Sequence, residues 1–213
     1  MPVNRTLAES TTLHELFNGP VIYKSPLFQR HYVWGDDELD VLWNDIDKVR
    51  EESSDTTFLG AIVVKQYQTG IGRNPPGFWI IDGQQRLTTF YLLLIALSNK
   101  MAELGDESGA SSCNKLYLLE QLDEHLHEPK LLPTIPDLGQ FKHVLEHIPL
   151  VDAVVPDGHM ASSLGKLEYV FLKHLDEIDK RILIDEKPSN DELQNLYNVI
   201  LTKIEFAQIA ISE

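Results

Sequence analysis

From Asp36 onward the apolar side chains Leu39, Leu42, Trp43, Ile46 and Val49 recur at three- and four-residue steps, with acids and Lys48 between them. That period predicts an amphipathic helix with Asp36 as its cap. Upstream, Thr12 and Glu15 in TTLHELF form a capping-box pattern for a short helix that Gly19 and Pro20 end, and VIY reads as a strand. FLGAIVVKQY and FWIID are rich in β-branched and aromatic residues and predict a strand pair joined by the loop QTGIGRNPPG. The second strand runs directly into DGQQR, and Leu87 to about Leu104 is apolar on nearly every face, as in a helix enclosed by its own domain.

The second half is mainly helical in pattern. ESGASSCN reads as a loop, Tyr117 to Leu126 as helix, and PKLLPTIPD, with three prolines, as extended chain. Asp137 is placed to cap a helix carrying Phe141, Val144, Leu145 and Ile148. Leu164, Leu167, Phe171, Leu175 and Ile178 predict a further helix; Leu193, Leu196, Tyr197, Ile200 and Ile204 predict a last one, before the strand-like EFAQIAISE. No internal repeat or strong linker divides the chain. The fold class is α+β, a small sheet with helices followed by the mainly helical part.

Composition narrows the partners. The 213 residues are 43% apolar, enough for a core, while 18 Lys+Arg against 33 Asp+Glu give a formal charge of −15. Such a surface repels phosphate backbones overall, so any nucleic-acid contact must be local or made by a partner. One cysteine, Cys113, excludes an internal disulfide framework and any zinc site built on a cysteine cluster. MPVNRTLAES has no apolar signal region, and the longest greasy run, Phe90 to Leu97, is too short to span a bilayer; the expected location is cytoplasmic, with no membrane partner.

Two polar islands stand out against the apolar pattern. In DGQQRLTT a strand meets a helix N-terminus through one glycine, where unpaired N–H groups and the helix dipole favour an anion. Gly83 lets the backbone approach a ligand, Arg86 can clamp a phosphate in bidentate fashion, and Thr88 and Thr89 add hydroxyls. Asp82 can hold a metal or a ribose hydroxyl, or position a water. In the blander reading Asp82 caps the helix and Arg86 pairs with a surface acid. The second island, PLFQRHYVW, sets Gln29 and Arg30 among Phe28, Tyr32, Val33 and Trp34. Tyr32 and Trp34 can stack a base, or simply be core; Arg30, beside so much apolar surface, needs either a phosphate or a buried acid.

Other candidates carry less. His143, Glu146 and His147 spell H-x-x-E-H on a predicted helix, but no third zinc ligand is identifiable, and the polar face of an amphipathic helix explains them equally well. The same holds for His125 and His127, and Cys113 has no histidine near it. No nucleophile elbow, Walker loop or dinucleotide-binding turn occurs.

Taken in order, SPLFQRHYVW, a helix ending LWNDI, FLGAIVV and IIDGQQRLTT resemble the N-terminal domain family of the GmrSD-type modification-dependent restriction endonucleases, most strongly over 21–97 and, through PKLLPTIPDLGQF, to about residue 145. The resemblance implies a ParB/sulfiredoxin-like mixed sheet with helices, divided here as a nucleotide-binding core over 1–110 and a helical extension over 111–213 packed on the same domain. It implies binding and hydrolysis of a nucleoside triphosphate with Mg or Mn, coupled to restriction of phage DNA carrying modifications. The catalytic set expected is Asp82, Gln85 and Arg86; Gln29, Arg30, Gly83, Gln84, Thr88 and Thr89 would bind nucleotide. Tyr32 and Trp34 would stack a base, and no metal-ligand cluster is assigned. DGQQR would form the floor of the pocket, with Gln29 and Arg30 facing it. Relatives of this kind often continue into an HNH-type nuclease, which nothing here resembles. Modified DNA would therefore be reached through a longer protein or a partner nuclease, and a homo-oligomer is left open. Two alternatives stand beside hydrolysis: a non-catalytic module that senses nucleotide or modified DNA and regulates a nuclease, and a domain that itself nicks DNA.

Overall fold

A computed structural model describes residues 7–51, 56–67, 75–122, 127–149 and 165–211. The chain opens with β1 (Leu7–Thr12), which the sequence pattern does not announce, and passes into α1 (Leu13–Phe17) through the expected capping box: the Thr12 hydroxyl accepts from the Glu15 amide while the Glu15 carboxylate accepts from the Thr12 amide. Next come β2 (Ile22–Lys24), the amphipathic α2 (Asp36–Glu51), and the antiparallel pair β3 (Thr57–Tyr67) and β4 (Gly77–Asp82). Most of the predicted QTGIGRNPPG loop lies outside the described residues.

The predicted buried helix is α3 (Gln84–Glu103), with every side chain from Leu87 to Ser98 buried. Two sequence expectations then fail. ESGASSC is not a loop but α4 (Glu107–Cys113), because the Asp106 carboxylate accepts from the Gly109 amide and nucleates a helix that Ser and Gly propensity alone does not favour. The expected helix from Tyr117 is cut short: 114–118 form one π-helical turn and the chain turns into β5 (Leu119–Gln121), paired with β6 (His127–Pro129). Residues 123–126, including His125 and the predicted helix end at Leu126, lie outside the described residues.

The remaining elements are β7 (Leu131–Leu132), α5 (Leu138–Leu145), α6 (Lys166–Ile182), the short hairpin β8 (Leu183–Ile184) with β9 (Lys187–Pro188), α7 (Asn190–Thr202) and β10 (Ile204–Ile211). Leu164, assigned to the α6 stripe, lies outside the described residues. The main sheet runs β1-β10-β3-β4-β2-β7, with β10 antiparallel to β1 and parallel to β3, and β2 parallel to both β4 and β7. The last strand of the chain therefore sits inside the sheet begun by the first, and Phe206 on β10 packs edge-on to Phe90 of α3 at 5.5 Å between ring centroids. The fold is a mixed α+β domain.

Long polar side chains tie the layers. Lys130, 1% exposed, donates to the carbonyls of Phe17, Gly19 and Leu116 and lies 3.7 Å from Glu120; burial lowers its pKa despite that acid. Arg181 of α6 grips Asp47 of α2 with two nitrogens, pairs with Glu177 and lies 4.4 Å over the Trp43 ring. Among the described residues, no helix is long and apolar enough to cross a membrane.

Candidate functional site

β4 ends at Asp82, and Gly83 turns the chain into α3 with φ +86. That left-handed turn favours glycine, and a Cβ there would meet the Ala61 carbonyl oxygen at 3.0 Å. Gly83, not Asp82, is the N-cap, and no side chain caps the first turn. The capping role open to Asp82 in the sequence is therefore not the one it plays; its side chain is exposed beside the uncapped amides. Among the described residues, no side chain accepts from the positive end of this 20-residue helix.

The second island lies against this turn. Gln29, Arg30, Trp34, Asp82, Gly83, Gln84, Gln85 and Arg86 line one cleft of about 160 Å³. Residues separated by about fifty positions meet through glutamine amides. Gln29 Nε2 donates to the Ile81 carbonyl at 2.7 Å, Gln84 Nε2 to the Arg30 carbonyl at 2.7 Å, and Gln85 Nε2 to the His31 carbonyl at 3.2 Å. Gln85 Oε1 accepts from the Val33 amide at 2.8 Å. The 29–33 segment is irregular, so its backbone groups need side-chain partners. Two more come from elsewhere: the Tyr32 amide donates to Asp137 Oδ2 at 2.9 Å, and Lys166 Nζ donates to the Val33 carbonyl at 2.7 Å.

Asp137 precedes α5 as expected, but its side chain does not cap that helix; it accepts from Tyr32 and from the Thr134 hydroxyl at 2.7 Å. Asp137 and Thr134 thus support the cleft, a role with no local sequence signal. Gly60 is the other residue that sequence reasoning missed. Its φ of +92 puts a kink in β3, and a Cβ there would lie 3.0 Å from Arg86 Nη1. The Arg86 guanidinium rests on that glycine and donates to the Ala61 carbonyl at 2.6 Å, which aims it along the cleft floor and leaves other N–H groups for a ligand.

The predicted residues separate into two groups. Asp82, Gly83, Gln84, Gln85, Arg86, Gln29, Arg30 and Trp34 come together at the cleft. Arg30 is exposed, so the buried acid weighed for it is not needed. Thr88, Thr89 and Tyr32 point into the core instead: all are at most 3% exposed, and the Tyr32 hydroxyl donates to Thr89 Oγ1 at 2.6 Å while Thr89 donates to the Gln85 carbonyl at 2.8 Å. Burial pushes the Tyr32 phenol well above its ordinary range. The Tyr32 ring is thus unavailable to stack a base, whereas the half-buried Trp34 stands on the cleft wall. Gln85 has both amide atoms committed to the neighbouring backbone, so it holds the two islands together rather than presenting its amide to a reacting group.

Elsewhere, His143 Nδ1 lies 3.7 Å from Glu146, and His147 stacks on Phe171 at 4.7 Å between ring centroids. Among the described residues, no group of three or more His, Cys, Asp or Glu is arranged to hold a metal. Cys113 is fully buried, its thiol pushed up to about 12 by desolvation.

The α+β domain thus sets a polar cleft with two arginines at a helix N-terminus, a place where backbone amides and the helix dipole favour an anion. The chain belongs to the family of the GmrSD restriction endonuclease, N-terminal domain, whose pattern matches residues 13–211. No curated protein matches the chain.

Proposed function

We propose that this chain binds a nucleoside triphosphate at the N-terminus of α3 and hydrolyses it in the service of a restriction system acting on modified DNA. The observation that carries the reading is the uncapped first turn of α3, flanked by Arg86 on the floor and Arg30 on the rim. First-turn amides and two guanidinium groups suit a polyphosphate, and they give local attraction on a chain of net charge −15. Asp82, an exposed carboxylate on the same cleft, fits a divalent metal of the Mg or Mn type, which takes one or two carboxylates and fills its shell with phosphate oxygens and water. Such an ion, arriving with the nucleotide, supplies charge neutralisation at the phosphates. Arg86 and Arg30 hold the phosphoryl oxygens, Asp82 is the group placed to orient a water, and Trp34 offers a face for the base; the chemistry is then positioning and charge stabilisation.

One observation favours the second reading, a nucleotide sensor that regulates a nuclease without turnover. Gln85 is fully engaged and Gln84 donates to backbone, which leaves Asp82 as the principal side chain free to handle water. Phosphate release from NTP and Mg, measured on the wild type and on Arg86→Ala, separates the two. Turnover lost in the variant supports hydrolysis; saturable binding without release supports the sensor; neither binding nor release refutes both.

A further inference from the structure

One atom of the cleft is unexplained by phosphate. Gln84 is 6% exposed, and its Nε2 donates to the Arg30 carbonyl. That bond fixes which way round the amide lies, since only the NH₂ end can meet a carbonyl. Among the described residues Oε1 is left buried with no hydrogen-bond partner. Orphaned buried acceptors are costly and uncommon in folded proteins, so one that belongs to a cleft-lining residue points to a ligand that completes it. A polyphosphate cannot do so, because its oxygens are acceptors at neutral pH. What Oε1 requires is an N–H or O–H donor of the ligand, or the metal ion or a water that arrives with it.

The size of the cleft says which donor. At about 160 Å³ it holds roughly five water volumes, well under the roughly 300–1,000 Å³ of clefts that enclose a whole drug-sized ligand. It holds only part of a nucleotide, and with phosphate at the α3 N-terminus the adjoining sugar comes next, the base lying towards Trp34. We infer that Gln84 Oε1 accepts a hydrogen bond from a sugar hydroxyl, so that the site selects ribonucleotides over the corresponding deoxy forms. The inference rests on the nucleotide reading above and adds the part of the ligand that is read. Oε1 is shielded in the ligand-free chain, so the inference includes a side-chain movement at the cleft that opens the approach to it on binding.

The test is equilibrium binding, with Mg present, of one nucleoside triphosphate, its 2′-deoxy and 3′-deoxy forms, and inorganic tripolyphosphate. The wild type is expected to bind the ribonucleotide about tenfold more tightly than at least one deoxy form. In Gln84→Met, which keeps the side-chain length and has no amide oxygen, that ratio falls to about one. Equal affinity of the wild type for ribo and deoxy forms overturns the inference and leaves nucleotide binding standing. A preference that follows the amino groups of the base rather than the sugar overturns it too. Failure of every nucleotide and of tripolyphosphate to bind removes the nucleotide reading itself.

Discussion

Replacing Gln85 by leucine roughly keeps the side-chain volume and removes one of the three glutamine amides that join the two halves of the cleft. Two hydrogen bonds are lost, to the Val33 amide at 2.8 Å and the His31 carbonyl at 3.2 Å. His31 is exposed, so its carbonyl can recover a water; the half-buried Val33 amide has less access to one. One unsatisfied donor costs about 1–3 kcal/mol. At ~2–4 °C per kcal/mol for a chain of this size, the melting temperature should fall by roughly 2–12 °C. Nucleotide affinity should fall with it, because His31 and Val33, which flank Tyr32 between Arg30 and Trp34, lose their anchorage to the α3 turn. Thermal and urea unfolding, each read by circular dichroism, measure the first effect, and equilibrium binding measures the second. Had Gln85 been a water-orienting group, Gln85→Leu would abolish turnover at unchanged stability; a melting temperature within about 1 °C of wild type refutes the reasoning.

Gly60→Ala tests the support of Arg86. The left-handed backbone costs about 1–2 kcal/mol for a residue with a Cβ, and the added methyl meets the guanidinium at 3.0 Å and displaces it. Turnover or affinity, measured well below the melting temperature, should fall as it does in Arg86→Ala; wild-type function in a destabilised Gly60→Ala contradicts that placement. His174 makes a pH prediction. It is fully buried against Trp43, and desolvation holds its imidazole down to about 3 from the ordinary 6.5. Between those values the unfolded chain takes a proton that the folded chain refuses, so this contribution is complete above pH 6.5. It declines as pH falls from there, at up to ~1.4 kcal/mol per unit. His174→Leu should flatten the stability profile between pH 6.5 and 5, above the main carboxylate range, and an identical slope in the variant contradicts the burial argument.

What the sequence revealed and what it concealed follow from the range of the interactions. α2 and α3 were legible because apolar period and caps act within a few residues, and the DGQQR turn because a glycine between strand and helix has few other uses. Even the grouping of Gln29, Arg30 and Trp34 with the turn was expected, through resemblance rather than through any local pattern. The use of the glutamines was not legible: an amide that binds a carbonyl about fifty residues away has the same sequence appearance as one that faces a ligand. Gly60 was hidden in a hydrophobic strand, where only the three-dimensional approach of Arg86 gives it meaning. α4 was misread because Ser and Gly indicate a loop until Asp106 is seen to cap them, and β5 because the apolar run after Cys113 suits helix and strand alike.

The central claim concerns where the phosphates lie. A crystal structure of this chain with a non-hydrolysable nucleoside triphosphate and Mg should place phosphate oxygens within hydrogen-bond distance of the amides of Gln84, Gln85 and Arg86, with the Arg86 guanidinium on the same group. A nucleotide bound elsewhere on the domain, or an unliganded α3 N-terminus at saturating nucleotide, contradicts it.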